Sequence, residues 1–252
     1  RDIAPAYTVV CRVCRKQTSI TANTLMHGSK KNLVAWLLVA RQFCLHHDGL
    51  SARELQRLLE LSCYQTAWRW LQKLRAGAAL AESAPCRGVV LFDLVEPEDF
   101  GLTDGVIPTI GVAMELQQME LKSSRIRLHK LETRSSSQIV ATILDLVQEQ
   151  ATLLINIGNW SKLDSVPRSY LVGHPSREHV RRMQRLLEEL TIWLNTLYRA
   201  TISSNYLQSY LDEFCFRHNT ASWPDRRAVL DHLINGLVTP LSQKVPATAK
   251  GR

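Results

Sequence analysis

No apolar run in the 252 residues is long enough to cross a bilayer. The longest, residues 33–40, falls far short of the ~20 residues a transmembrane helix needs. No basic n-region and apolar h-region of a secretory signal open the chain. It begins on Arg1 rather than Met, as a fragment or trimmed product would. Cysteines are few: of the six, only Cys11 and Cys14 are closely spaced. That excludes a secreted disulfide framework and predicts a reducing, cytoplasmic setting. A Gly-rich phosphate loop and a G-x-S-x-G elbow are both missing, which removes the commonest nucleotide-binding and hydrolase signatures. Hydrophobic residues at 45% and charged residues at 21% exclude wholesale disorder. At ~150 residues per domain the chain makes one large unit or two smaller ones, burying roughly 70–75% of its unfolded surface.

The net charge is +8, and its distribution is uneven. Residues 1–87 hold 13 basic and 5 acidic side chains, whereas residues 88–252 hold 18 of each. All of the excess therefore lies in the first third. A basic segment joined to a neutral one is the charge pattern of a module that binds a phosphate backbone.

Cys11-Arg-Val-Cys14 has the two-residue gap that lets neighbouring thiolates hold one zinc ion. A structural site needs four ligands, so this pair is half of one, and the alternative is two reduced thiols in a turn. Apolar residues at Leu33, Trp36, Leu37, Ala40 and Cys44 predict a helix over 32–44. "HHDGL" ends it; His46 and His47 read as a solvated loop. Ser51 and Glu54 have capping-box spacing and open a second helix with Leu55, Leu58 and Leu59 on its apolar side. After a turn at residues 61–63, a third helix is expected over 64–75. Ala67, Trp70, Leu71 and Leu74 form its buried stripe, leaving Gln65, Arg69, Gln72 and Lys73 outward. Two helices joined by about three residues, the second offering Gln and Arg four apart, make a helix-turn-helix pattern. Those side chains can pair with adenine and guanine edges.

After Pro85 the pattern changes. "RGVVLFDL", "PTIGVAME" and "SRIRLHKL" read as strands, the first ending near Asp93. A helix capped near Ser136 or Ser137 follows, then a fourth strand in "ATLLINIG". A long helix over 176–198 carries a stripe of Met183, Leu186, Leu187, Leu190, Trp193, Leu194 and Leu197. Glu189 falls at the stripe's edge and is expected to lean toward the sheet, Glu188 lies nearly opposite, and Arg181, Arg182 and Arg185 form an outer ridge. A further helix spans "NYLQSYLDEFCFRHN", where Asp212-Glu213 reads as a solvated face or an arginine partner. The fold class this predicts is α/β, a mixed sheet with helices preceded by a small all-α unit.

The order of "CRVCRKQTSITANTLMHGSKKNLVAW", "LSARELQRLLELSCYQTAWRWLQKLR", "GVVLFD", "RIRLHKLETRSSSQIV" and "SSNYLQSYLDEFCFRHN" resembles small bacterial insertion-sequence transposases. Those proteins carry a zinc ribbon, a helix-turn-helix and an RNase H-like DDE domain. The resemblance implies a partial zinc ribbon over 1–24, a helix-turn-helix unit over 25–80, an RNase H-like domain over 86–236 and a disordered tail over 237–252. It further implies double-stranded DNA at element ends as partner, homo-oligomeric assembly, and cleavage and strand transfer by Mg²⁺ or Mn²⁺. In that chemistry three acids hold two ions about 3.5–4 Å apart.

Carried onto this chain, the first acid falls on Asp93, followed by Leu94 where the family has Glu. The second belongs in "TDGW", but residues 157–160 read Ile-Gly-Asn-Trp, which puts Gly158 at the acid position. Asn156 and Asp164 are the nearest substitutes. An ungapped count puts the third at Arg185, and a shift of one helical turn reaches Glu189. The same count places Ile192 at the family's lysine, Ala200 and Thr201 at its paired histidines, and Thr220-Ala221 at the arginine pair. The expectation is therefore a transposase fold that binds DNA with impaired catalysis. The alternatives are a non-catalytic DNA-binding regulator of transposase origin and an interaction protein with no nucleic-acid role.

Overall fold

The computed structural model describes residues 7–28, 33–46, 48–100, 102–116, 125–155, 170–198 and 202–241. A small antiparallel hairpin, β1 (Thr8–Val10) and β2 (Gln17–Ser19), leads into three helices: α1 (Leu33–Leu45), α2 (Ala52–Leu58) and α3 (Tyr64–Ala81). Ser51 caps α2 as its spacing predicts, its hydroxyl accepting from the Glu54 N–H at 3.2 Å. The α2–α3 turn places Glu60 at φ 48° and is clamped from both sides by Gln56. Gln56 accepts from the Leu61 N–H through its carbonyl at 2.9 Å, and its side-chain amide donates to the Leu61 carbonyl at 3.0 Å.

Ala67, Trp70, Leu71 and Leu74 are buried as expected, and Trp70 stacks on Trp36 of α1 with ring centroids 4.4 Å apart. Leu37, expected in the core, is half exposed; Val39 and Phe43 take its place because α1 is apolar around most of its circumference. α3 runs six residues beyond the expected end at Arg75, and the core continues past residue 80. α7 (Arg226–Val238) lies along α3, and Val229, Leu233 and Leu237 complete the first core. Leu237 and Val238, expected in a disordered tail, are helical, because Leu237 packs into that core. Gly77 and Gly236 meet at the crossing, where a Cβ on Gly236 would overlap the Gly77 carbonyl.

The sheet is mixed α/β, as the sequence predicts. β3 (Val89–Val95) is central in the order β5-β4-β3-β6-β7, with β4 at Thr109–Glu115, β5 at Ile126–Leu131, β6 at Thr152–Ile155 and β7 at Leu171–Gly173. β3, β4 and β5 pair antiparallel; β6 and β7 add in parallel on the other side. β7, too short to show alternation, was not legible in the sequence. α4 (Ser136–Leu146) covers one face with Ile143 and Leu146 against Val90, Phe92 and Leu153. Its cap is Ser135, one residue before the expected position. α5 (Arg177–Tyr198) and α6 (Leu207–Thr220) cover the other face, where Leu91, Val112 and Leu128 meet Met183, Leu186, Leu190 and Leu211.

Strand β5 is at the sheet edge, and two amides of α6 bind its backbone where a neighbouring strand would. Gln208 accepts from the Lys130 N–H at 2.7 Å and donates to the Leu128 carbonyl at 3.1 Å. Asn219 accepts from the Ile126 N–H at 2.9 Å and donates to the Ile126 carbonyl at 3.0 Å.

A buried charge network joins the helical unit to the sheet unit. Arg75 of α3 donates to Glu213 of α6 at 2.7 Å and to the Tyr198 hydroxyl of α5 at 3.0 Å. Arg217 donates twice to the other Glu213 oxygen, at 2.6 and 2.9 Å, and reaches the Phe43 and His46 carbonyls at the end of α1. Glu213 thus has arginine partners and no solvated face. Burial alone would raise its carboxyl, but Arg217 and Arg75 pull it below the usual range. Glu213→Gln leaves two buried guanidiniums without their counter-charge and is expected to cost about 3–5 kcal/mol of folding stability, read by urea denaturation.

The neighbouring Asp212 differs. Its carboxylate accepts from Gln208 at 2.8 Å, and burial pushes its pKa up to about 7, against the opposing pull of Gln208 and Arg127. The folded chain then holds a proton that the unfolded chain releases near pH 4, so this group removes stability as pH rises from about 4 to 7. Asp212→Asn does not titrate there. Its stability relative to wild type should climb across that window by about 2–4 kcal/mol and level off above pH 7, in thermal melts taken at a series of pH values.

Candidate nucleic-acid interface and carboxylate site

The amino-terminal half of α3 presents two of the four side chains expected to read DNA. Gln65 and Arg69 are exposed, one helical turn apart, with Tyr64 44% exposed beside them. Trp68 turns away to meet Tyr206 edge-on at 5.1 Å. Arg53 and Arg57 of α2 are exposed on the adjoining helix and add two positive charges to this end of the unit. Sequence reasoning did not single out these two, although their four-residue spacing on the polar side of α2 was readable.

Gln72 and Lys73 do not belong to that face. Lys73 is partly buried, its ammonium 5.7 Å from the centre of the Trp36 ring and 3.5 Å from the His27 carbonyl. Burial lowers its pKa. The Gln72 amide nitrogen is buried without a hydrogen-bond partner among the described residues. Both corrections have one cause: α1, α6 and α7 surround the carboxyl-terminal half of α3, so only its first turns stay open.

Cys11 and Cys14 lie exposed at the tip of the β1–β2 hairpin, in a turn closed by Cys11 N–H to the Lys16 carbonyl at 2.9 Å. The N–H groups of Cys14 and Val13 face the Cys11 sulfur and lower its pKa, as in a metal-binding knuckle. Two thiolates do not complete a four-ligand zinc site, and among the described residues no three His, Cys, Asp or Glu side chains stand together as a metal site. Cys63, at the start of α3, is lowered by the N–H groups of Thr66 and Gln65, then by Arg69. Burial raises Cys44 and Cys86 to about 12 and holds Cys215 well above its usual value. Under a brief pulse of iodoacetamide at pH 7, mass spectrometry should find Cys11 and Cys63 alkylated first. Cys44, Cys86 and Cys215 should react only after unfolding.

Asp93 sits two residues from the end of β3, opposite Val112, on the sheet face that α5 and α6 cover. It is partly buried, and its carboxylate accepts from the Leu94 N–H at 2.9 Å. Glu189 does not lean toward the sheet. Its side chain is 64% exposed and pairs with His218 of α6 at 4.0 Å. The stripe of α5 is filled by Leu186, Leu190 and Leu194, so a carboxylate at its edge swings out to water and the imidazole. Gly158, Asn156, Asp164, His47, Ala200 and Thr201 lie outside the described residues. Among the described residues no three carboxylates stand together as the set that two-metal chemistry needs. Among the described residues no helix is long and apolar enough to cross a membrane.

Comparison with family models, curated proteins and solved structures finds no match for this chain.

Proposed function

We propose that the chain is a DNA-binding protein of the insertion-sequence transposase type whose cleavage and strand-transfer chemistry is impaired. The observation that carries the reading is the exposed Gln65–Arg69 pair on α3, which follows the Ser51-capped α2 through a turn clamped by Gln56, in the third of the chain that holds all the excess positive charge. A sheet with its first strand central, antiparallel on one side and parallel on the other, fits the RNase H-like scaffold that the resemblance implies. Asp93 on that strand fits the first acid. Gly158 in place of the second, and Glu189 turned to His218, support weak catalysis. Mg²⁺ or Mn²⁺ would serve only the catalytic form, and Zn²⁺ at Cys11 and Cys14 would need further ligands. A regulator that uses the helix-turn-helix alone is the second reading, favoured by the same departures at the acids.

Binding of duplex DNA, followed by fluorescence anisotropy, should weaken on Arg69→Ala by about 1–3 kcal/mol for a preferred site and hardly change on Asp93→Ala. Efficient Mg²⁺- or Mn²⁺-dependent nicking of candidate end DNA that Asp93→Ala abolishes would contradict the impaired chemistry. An Arg69→Ala variant matching wild type on preferred and random DNA would contradict the reading helix.

A further inference from the structure

Arg182, expected in the outer ridge of α5, is half-buried and turned to Glu178 at 3.5 Å, and Arg177 joins Arg181 and Arg185 instead. We propose that this ridge is a second DNA-backbone contact, so that one duplex is gripped both by α3 and by Arg177, Arg181 and Arg185. This rests on the DNA-binding reading above. These arginines recur every four residues, so at 1.5 Å per residue they form a stripe about 12 Å long. At 100° per residue the stripe lies opposite Met183, Leu186 and Leu190, the residues that hold α5 on the sheet. All three side chains are exposed.

Helix stability does not explain the stripe. Like charges at i and i+4 destabilise a helix. A cation in the first turn opposes the macrodipole, and of the three acids of α5 only Glu178 lies in that turn, next to Arg177, while Glu188 and Glu189 come later in the helix. Folding contacts do not explain it either. Glu178 accepts from Arg185 at 3.0 Å and lies 3.5 Å from Arg182, but Arg177 and Arg181 form no ion pair among the described residues. A row of guanidiniums that repel one another, at the positive end of a helix, is satisfied by a polyanion.

Placement supports the same duplex. The far end of α5 packs on the helical unit: Leu197 fills the space beside Gly49, where a Cβ would overlap it. Gly49 has φ 104° and stands two residues before the Ser51 cap of α2, the first helix of the reading unit. From that contact α5 carries the chain back about 24 Å to Arg181, less than the ~34 Å of one turn of B-DNA. To reach Arg181, a duplex seated on α2 and α3 must therefore extend about one helical turn along α5.

The test is anisotropy titration of the full chain with a random-sequence duplex of about 30 bp over a range of salt. It uses wild type, the double variant Arg181→Gln/Arg185→Gln, and Arg69→Ala, each with an unchanged far-UV circular dichroism spectrum. Losing two phosphate contacts should lower the slope of log K against log salt by about 1.8 and weaken binding of specific and random DNA alike. A double variant with wild-type slope and affinity, while Arg69→Ala binds more weakly, overturns the ridge and leaves the reading helix standing. Wild type that binds no duplex, or binds with no salt dependence, overturns both. Preference for single-stranded DNA or RNA of equal length overturns the duplex assignment.

Discussion

The carboxylate of Glu213 is the point on which this architecture turns. It is fully buried, and four helices converge on its partners: Arg75 from α3, Tyr198 from α5, Arg217 from its own α6, and through Arg217 the terminal carbonyls of α1. Arg75 is equally buried, stacked over Tyr210 at 4.0 Å, and keeps one guanidinium nitrogen without a partner among the described residues. Two cations on one anion in a dry interior give no large net stability. They give geometry instead: the charges are tolerable only in one arrangement, which holds the helix presenting Gln65 and Arg69 in a fixed relation to the helices that cover the sheet. Glu82 repeats the device on a smaller scale, joining the end of α3 to Arg125, Asn219 and His232.

Much of the fold was legible because its elements obey simple periods. The alternation of Ile126 and Leu128, the cap at Ser51 and the 3.6-residue stripe of α5 each point to the element that forms. What escaped has physical reasons. α7 does carry a helical period, with Val229, Leu230, Leu233, Ile234 and Leu237 behind an Asp225 cap, so the pattern was readable; what the sequence hides is its partner, because Gly236 serves the close crossing with Gly77. Arg75 lies four residues past Leu71 and eight past Ala67, on the buried stripe of α3. A charged residue at such a position signals a buried partner, and the pair Glu213 and Arg217, one turn apart on α6, is the matching signal.

The candidate site was less legible than the scaffold. A helical wheel puts Glu189 at the edge of the apolar stripe but says nothing of His218, which only the folding of α6 brings to it. The same wheel cannot separate Arg69 from Lys73, because it does not contain the neighbours that enclose the second half of α3. Exposure, set by packing of remote segments, divides Gln65, Arg69, Gln72 and Lys73 into two exposed side chains and two enclosed ones, of which Lys73 lies over Trp36.

A reading helix of the kind proposed makes the chain distinguish one duplex sequence from another. Selection of bound duplexes from a random pool, repeated over several rounds with the full chain at moderate salt, asks that question directly. The expected outcome is an enriched motif with guanine and adenine at adjoining positions, lost with Gln65→Ala/Arg69→Ala. A pool that emerges with no enriched sequence, or the same motif from the double variant, would contradict it.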